Sequence, residues 1–368
     1  SDTTRPSLHL NLTDTLVIAY LALGTFALFW STYQAPALTD YRTLFIEPVL
    51  FYVIYRTSAL TSADRRQLII ALLIAGTLVS AISLTQYLRG EAIITAEDAS
   101  RRLAGVYGSP NNLALFLGRV IPIAFAAVLM AHARFPRVLA TIALVIMALT
   151  ALLTKSVGGL VIAIPAALAV VLLLAIGISK RALIALALVA VLVVTGFSLA
   201  AANSDRFARA LDFTQGTNFY RVRVMQSAWQ AITDHPLTGL GLDQFLYAFR
   251  DRYIYPDAWP EPNLSHPHNI VLDFWVRLGL AGVLLLIALI AACITQIRRA
   301  YVHHRNQPLL GWVIVGLAGA LTNIFTHGLL DNSIFVPDLA LQFFLFLAVL
   351  SALQPSPSLI QSPLSSRK

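Results

Sequence analysis

Apolar residues along this chain come in long blocks separated by short polar connections, with one long polar connection late in the sequence. The blocks are Thr15 to Tyr33, Leu44 to Ala59, Leu68 to Leu88, Asn112 to Ala131, Val138 to Thr154, Gly158 to Ile178, Ala182 to Ala202, Ile270 to Ile297, Leu309 to Leu329 and Ile334 to Leu353. A helix rises 1.5 Å per residue, so a run of roughly 20 residues crosses the hydrocarbon of a bilayer. The pattern predicts an all-α polytopic membrane protein with about ten transmembrane helices. It divides into N-terminal transmembrane helices (1–202), an extracytoplasmic loop with short helices (203–267), C-terminal transmembrane helices (268–353) and a disordered Ser- and Pro-rich tail (354–368).

Composition agrees with that pattern. Of 368 residues 58% are hydrophobic and 12% charged, and mean hydropathy is +0.74. A soluble domain carries roughly twice that share of charge. The formal charge of +8 would point to nucleic acid in a soluble protein. In a membrane protein the same basic residues set topology and attract anionic lipids, so nucleic acid is excluded as a partner and membrane lipids are expected. Arg65 and Arg66, Arg134 and Arg137, Lys180 and Arg181, and Arg298, Arg299 and Arg305 fall on alternate connections, which the positive-inside rule assigns to the cytoplasm. The opposite face then holds Arg89 to Pro110 and the long segment Asn203 to Pro267. No basic-then-apolar leader with a cleavage site is expected, and a hairpin preceding Ser1 stays open. The single cysteine, Cys293, lies in an apolar run and excludes an intrachain disulfide.

Within the long connection a helical pattern runs from Tyr220 to Thr233, followed by a turn-rich stretch with Pro236, Gly239 and Gly241 and a second predicted helix over Gln244 to Arg252. Tyr253, Tyr255, Pro256, Trp259, Pro260 and Pro262 then suit an element at headgroup depth, where such rings commonly serve as anchors.

The most specific motif is His268-Asn269, a gap of nine residues, and Gly279-Leu280-Ala281-Gly282, placed where the long connection re-enters the membrane. Arg221 stands fifteen residues before Pro236 in Asp234-His235-Pro236-Leu237-Thr238-Gly239, and Arg102-Leu103-Ala104-Gly105 precedes Ser109-Pro110-Asn111-Asn112. Taken together these resemble the O-antigen ligase family, which includes related polysaccharide polymerases and oligosaccharyltransferases. The pattern departs from that family at Val283 and Leu284, where two threonines are usual, at Met225, where a tryptophan commonly stands, and at Lys155-Ser156-Val157-Gly158-Gly159, which replaces a Ser-Arg-Gly segment.

That resemblance implies a membrane glycosyltransferase. Its donor would be a glycan on a polyprenyl (undecaprenyl) diphosphate, and its acceptor a sugar hydroxyl on a lipid A core or on another glycan. The active site would lie on the periplasmic or extracellular side of the cytoplasmic (inner) membrane, in the service of lipopolysaccharide or other polysaccharide biosynthesis in the cell envelope. It implies catalytic roles for His268 and Arg221. His268 can accept the proton of an attacking hydroxyl because imidazole titrates near neutrality; the plainer role is capping the re-entering helix. Departure of a diphosphate is eased by arginine, which stays protonated and meets phosphate oxygens in pairs. Arg101, Arg102, Arg223 and Lys155 are the further candidates for that contact. The plainer role for Arg221 is an ion pair with Asp212 or Asp234.

Asn269, Asp273, Arg277, Gly279 and Gly282 are read as supporting residues, Asp273 and Arg277 as an i,i+4 pair on one helix face. Glu47, His327, Asp331 and Asp338 are read as structural, as is His266. No metal site and no cofactor are expected: Asp257, Glu261 and Asp273 are scattered relative to His266 and His268, without ligand spacing. A polysaccharide polymerase of the same fold and a transporter of bicarbonate or another small anion are the rival readings. No internal repeat of the kind many transporters carry is visible.

Overall fold

The computed structural model describes residues 10–95, 101–209 and 212–354; all but the first residue of the expected tail lies outside the described residues. Eight helices precede the long connection: α1 (Leu12–Leu28), α2 (Gln34–Asp40), α3 (Glu47–Thr57), α4 (Ser62–Leu88), α5 (Pro110–Met130), α6 (Arg134–Thr154), α7 (Ile164–Ile176) and α8 (Lys180–Asn203). Within it lie α9 (Asp205–Ala208), α10 (Gly216–Asp234) and α11 (Phe245–Ala248), and α12 (Ile270–His304), α13 (Gly311–Gly328) and α14 (Pro337–Ala352) follow. Wider π-helical turns join α2 to α3 at Tyr41–Ile46 and lead into α7 at Gly158–Ala163.

Helix occupies every predicted apolar run. Among the described residues six helices are long and apolar enough to cross a membrane: Ser62–Leu88, Pro110–Met130, Arg134–Thr154, Gly158–Ile176, Lys180–Asn203 and Ile270–His304. The other four runs are helical but shorter or less apolar, α1 and α14 among them. The chain is thus a multi-pass helical membrane protein. One feature departs from the all-α expectation: β1 (Ile93–Thr95) and β2 (Arg101–Leu103) form an antiparallel hairpin, Ile93 opposite Leu103 and Thr95 opposite Arg101. Both strands are three residues long, too short to leave a period-2 signature.

Helix starts follow local chemistry. Asn11 with Asp14 and Thr61 with Asp64 form capping boxes, and Ser109 caps α5 with Pro110 in its first turn. At the centre of the bundle α5 and α13 run antiparallel, with Gly118 against Asn323 and Gly316 against Ile123. A Cβ on Gly118 would stand 2.5 Å from the Asn323 amide oxygen, so glycine sets how near the two helices come. α8 is the opposite case, with only Ala182 buried along its length. The connection from α13 to α14 folds inward rather than outward, burying Asp331, Asn332, Ser333, Ile334 and Phe335.

Candidate functional site

The site forms where α12 begins, and its backbone is unusual there. His268 adopts φ 52°, a left-handed conformation that side-chain-bearing residues seldom take. Asn269 then caps α12, its amide oxygen accepting from the backbone N–H groups of Val271 (2.9 Å) and Leu272 (3.2 Å). Its amide nitrogen donates to the Leu329 carbonyl (3.1 Å), which ties the start of α12 to the end of α13. The capping role considered for His268 therefore belongs to its neighbour.

Asp331, on the inward-folded connection, gathers the cations of this region. His268 Nδ1 lies 2.9 Å and His266 Nε2 3.2 Å from its Oδ1, which also accepts from the Asn332 backbone N–H at 2.9 Å. Arg221 Nη2 lies 3.4 Å from Oδ2. Burial works against an ionised carboxyl, yet His268, the hydrogen bonds from both histidines and Arg221 together hold Asp331 well below the usual carboxylate range. For His268 burial again acts first and lowers the pKa below 6.5; Asp331 opposes that, while the charges of His266 and Arg221 reinforce it. The direction that follows is a neutral His268 beside an ionised Asp331. An ionised carboxylate only accepts, so the Nδ1 it faces carries the ring proton and Nε2 keeps a lone pair.

Two of these residues take partners from elements distant in sequence. Arg221 meets Asp331 instead of Asp212 or Asp234: Asp212 is engaged by Thr214 and Gln215, and Asp234 by Arg252 and Tyr253. Asp331, read as structural, is the residue on which the site converges. The metal reading needs the same amendment, because His266, His268 and Asp331 bring three possible ligand atoms within 4.8 Å of one another.

The remaining candidates divide. Gly159 lies against His327, one turn below Asp331: a Cβ there would stand 3.1 Å from the ring and 3.4 Å from Ser156 Oγ. The segment Lys155 to Gly159 thus packs beneath the site, with Lys155 itself left-handed at the end of α6. Arg102 braces the neighbouring elements, donating from Nε to the Thr154 carbonyl (2.9 Å) and from Nη2 to Asn111 (2.7 Å). Arg101 is exposed on the hairpin, its guanidinium near Gly90. Arg223 is held by Asp257 and Gln226, its guanidinium 5.2 Å from the Phe219 ring centroid and 5.0 Å from that of Tyr255. It fastens the long connection to itself.

Asp273 and Arg277 pair as their spacing predicts, Nε to Oδ1 at 2.8 Å, and Arg277 also binds Asp40 and lies 4.8 Å from the Phe335 ring centroid. Gly279 breaks α12 (φ 67°, ψ −164°), and a Cβ there would overlap the Leu237 carbonyl. The turn from Pro236 to Gly241 takes up the backbone groups freed by the break: Leu280 N–H donates to the Pro236 carbonyl (3.1 Å) and Leu240 N–H to that of Val276 (2.7 Å). Gly239 is left-handed, and a Cβ on it would stand 2.5 Å from the Val276 carbonyl. Gly282 faces the Phe274 carbonyl across the same break, where a Cβ would come within 2.6 Å. The two glycine-bearing motifs, some forty residues apart, are therefore the two halves of one contact.

Arg119 was not singled out in the sequence. It is fully buried in α5 and donates to the backbone carbonyls of Leu339 (2.6 Å), in α14, and of Ser333, in the connection that carries Asp331. An arginine inside an apolar run was the available signal, since such residues face the bundle interior.

Fold and cluster together define a multi-pass helical membrane protein with an ionisable site under a long helical connection. Residues 142–287, from within α6 to just past Gly282, match the family model for O-antigen ligase. None of the curated proteins compared with the chain matches it. The family match points to membrane glycosyl transfer in general, with a lipid-linked glycan and a glycan acceptor as the general partners.

Proposed function

We propose that the chain transfers a glycan from a polyprenyl diphosphate carrier to a sugar hydroxyl, at the outer face of the cytoplasmic membrane and without a metal. The observation that carries this reading is Asp331, which holds a histidine and an arginine, the two groups such a reaction needs, on one carboxylate. His268 Nε2 takes the acceptor's hydroxyl proton. The acceptor oxygen bonds to the anomeric carbon as the bond from that carbon to the diphosphate oxygen breaks, with inversion. The electron pair leaves with the diphosphate, whose growing charge Arg221 neutralises.

Arg221 keeps donors for that task. Its contact with Asp331 is long and runs from Nη2. Asp331 orients the imidazole and supports the imidazolium as it forms, as the carboxylate of a catalytic triad does.

Purified protein in detergent, supplied with a lipid diphosphate glycan donor, tests the proposal against two acceptors: a lipid-anchored core sugar and a second carrier-linked glycan. Transfer to the first makes it a ligase and to the second a polymerase. Transfer to neither, with intact donor recovered, rejects the reading. Transfer abolished by EDTA and restored by magnesium rejects the metal-free form of it.

A further inference from the structure

We propose that His266, His268 and Asp331 form a binding site for a zinc-type transition metal, and that a metal bound there switches His268 off. The second half rests on the function proposed above. The first stands on geometry alone.

The three ligand atoms lie within 4.8 Å of one another, with the two imidazole nitrogens 3.2 and 2.9 Å from the same carboxylate oxygen. Tetrahedral zinc with ligands about 2.0–2.1 Å away keeps those ligands roughly 3.3 Å apart. The two nitrogen–oxygen edges already approach that spacing, so only the nitrogen–nitrogen edge has to close. His266 can close it: its side chain is 23% exposed and it ends the long connection, whereas Asp331 is 6% exposed and fixed. Two nitrogens with one oxygen favour zinc, cobalt or nickel over magnesium or calcium, which take oxygen ligands.

The surroundings resemble a supporting shell. His266 Nδ1 lies 3.3 Å from Ser265 Oγ, a partner on the far ring nitrogen of the kind that orients metal-binding histidines. Asp331 is oriented by the Asn332 N–H, and Arg221 sits on its other oxygen. Three protein ligands leave a fourth position for water.

The consequence for His268 follows from its tautomer. A metal on Nδ1 needs the lone pair there, so the ring proton moves to Nε2. That nitrogen then carries N–H where the hydroxyl proton would have gone. No proton is lost, and the base is gone.

The test uses tag-free full-length protein in detergent, titrated with Zn²⁺ by calorimetry and with Co²⁺ by visible absorption, alongside glycan transfer with and without zinc. One metal per chain, d–d bands of a tetrahedral nitrogen and oxygen site, and inhibition of transfer by zinc are expected. His266→Ala, on an accessible residue, should weaken binding by more than about a hundredfold, the upper end for losing even a supporting group. Whatever transfer that variant retains should be indifferent to zinc. No saturable binding to the wild type, or equal binding to His266→Ala, overturns the site. Binding with undiminished transfer overturns the switch. EDTA-treated protein that regains transfer on adding zinc overturns both the switch and the metal-free reaction while leaving the ligand set in place.

Discussion

Two charged clusters flank the first turns of α12, and they are built in opposite ways. Around Arg277 one cation is shared by two carboxylates, Asp273 and Asp40, with Phe335 over the guanidinium and all groups sheltered. Around Asp331 one carboxylate is shared by three cationic or titratable groups, the histidines partly exposed and the arginine contact long. In the first cluster the guanidinium is enclosed and held on two sides. The second keeps an imidazole lone pair and unused guanidinium donors. A saturated charge holds a fold together, whereas an unsaturated one is available to a substrate.

Removing the base should have the largest effect of any single change. His268→Ala is expected to lower transfer about a thousandfold, within the range general base catalysis supplies, while the melting temperature in detergent stays near that of the wild type. Comparable losses of rate and stability would erase the distinction between the clusters. Arg277→Ala should do the reverse, destabilising by about 3–5 kcal/mol because two buried carboxylates lose their partner. Thermal unfolding in detergent measures it, and a stable Arg277→Ala protein would show that this cluster is not structural.

Arg221→Lys sharpens the comparison further. It should cost about a hundredfold in rate, since lysine offers a point charge where arginine offers paired donors, with little change in stability. Full activity in the lysine variant would reduce Arg221 to an ion pair with Asp331. The smallest effect is in pH dependence. On the proposed mechanism His268 acts as a neutral base, so the acid limb of kcat/KM should lie below 6.5, the ordinary imidazole value. Asp331 raises the His268 pKa, so Asp331→Asn should move that limb to still lower pH, beneath a reduced rate at every pH. A limb above 6.5 in the wild type would show a charged resting histidine.

The sequence made part of each cluster legible. Asp273 and Arg277 were readable because four residues along a helix is a distance in space as well as in sequence. His268 was readable from its motif. Asp331 was not: it lies 63 residues away, on a connection whose inward path depends on Arg119 and on the packing of α13 against α5. Arg221 was placed correctly on its helix, which begins a turn earlier than its pattern predicts, yet its partner came from another element, because a helix in a long connection takes its contacts from whatever it lies on. The apolar blocks predicted every membrane-length helix, while the short helices α2 and α9 and the β1–β2 hairpin escaped for want of length.

The contact between Gly279 and the Pro236–Gly241 turn limits how the long connection can move. Its Pro236 carbonyl accepts from the Leu280 N–H, its Leu240 N–H donates to the Val276 carbonyl, and Leu242 N–H donates in turn to Ser31 Oγ at 3.1 Å beside α1. Lifting this turn would strand backbone groups of α12 and of the turn itself, and each costs about 1–3 kcal/mol when left unpaired in the interior. The turn is therefore an anchor rather than a hinge. The stretch from Ile254 to Ser265 is fastened differently, by the solvent-facing Arg223–Asp257 pair, by Gln230 on Tyr255 and by Arg250 on Pro262 and Asn263. The ionic part of that fastening is what salt weakens, so this stretch should loosen with ionic strength while the anchor holds.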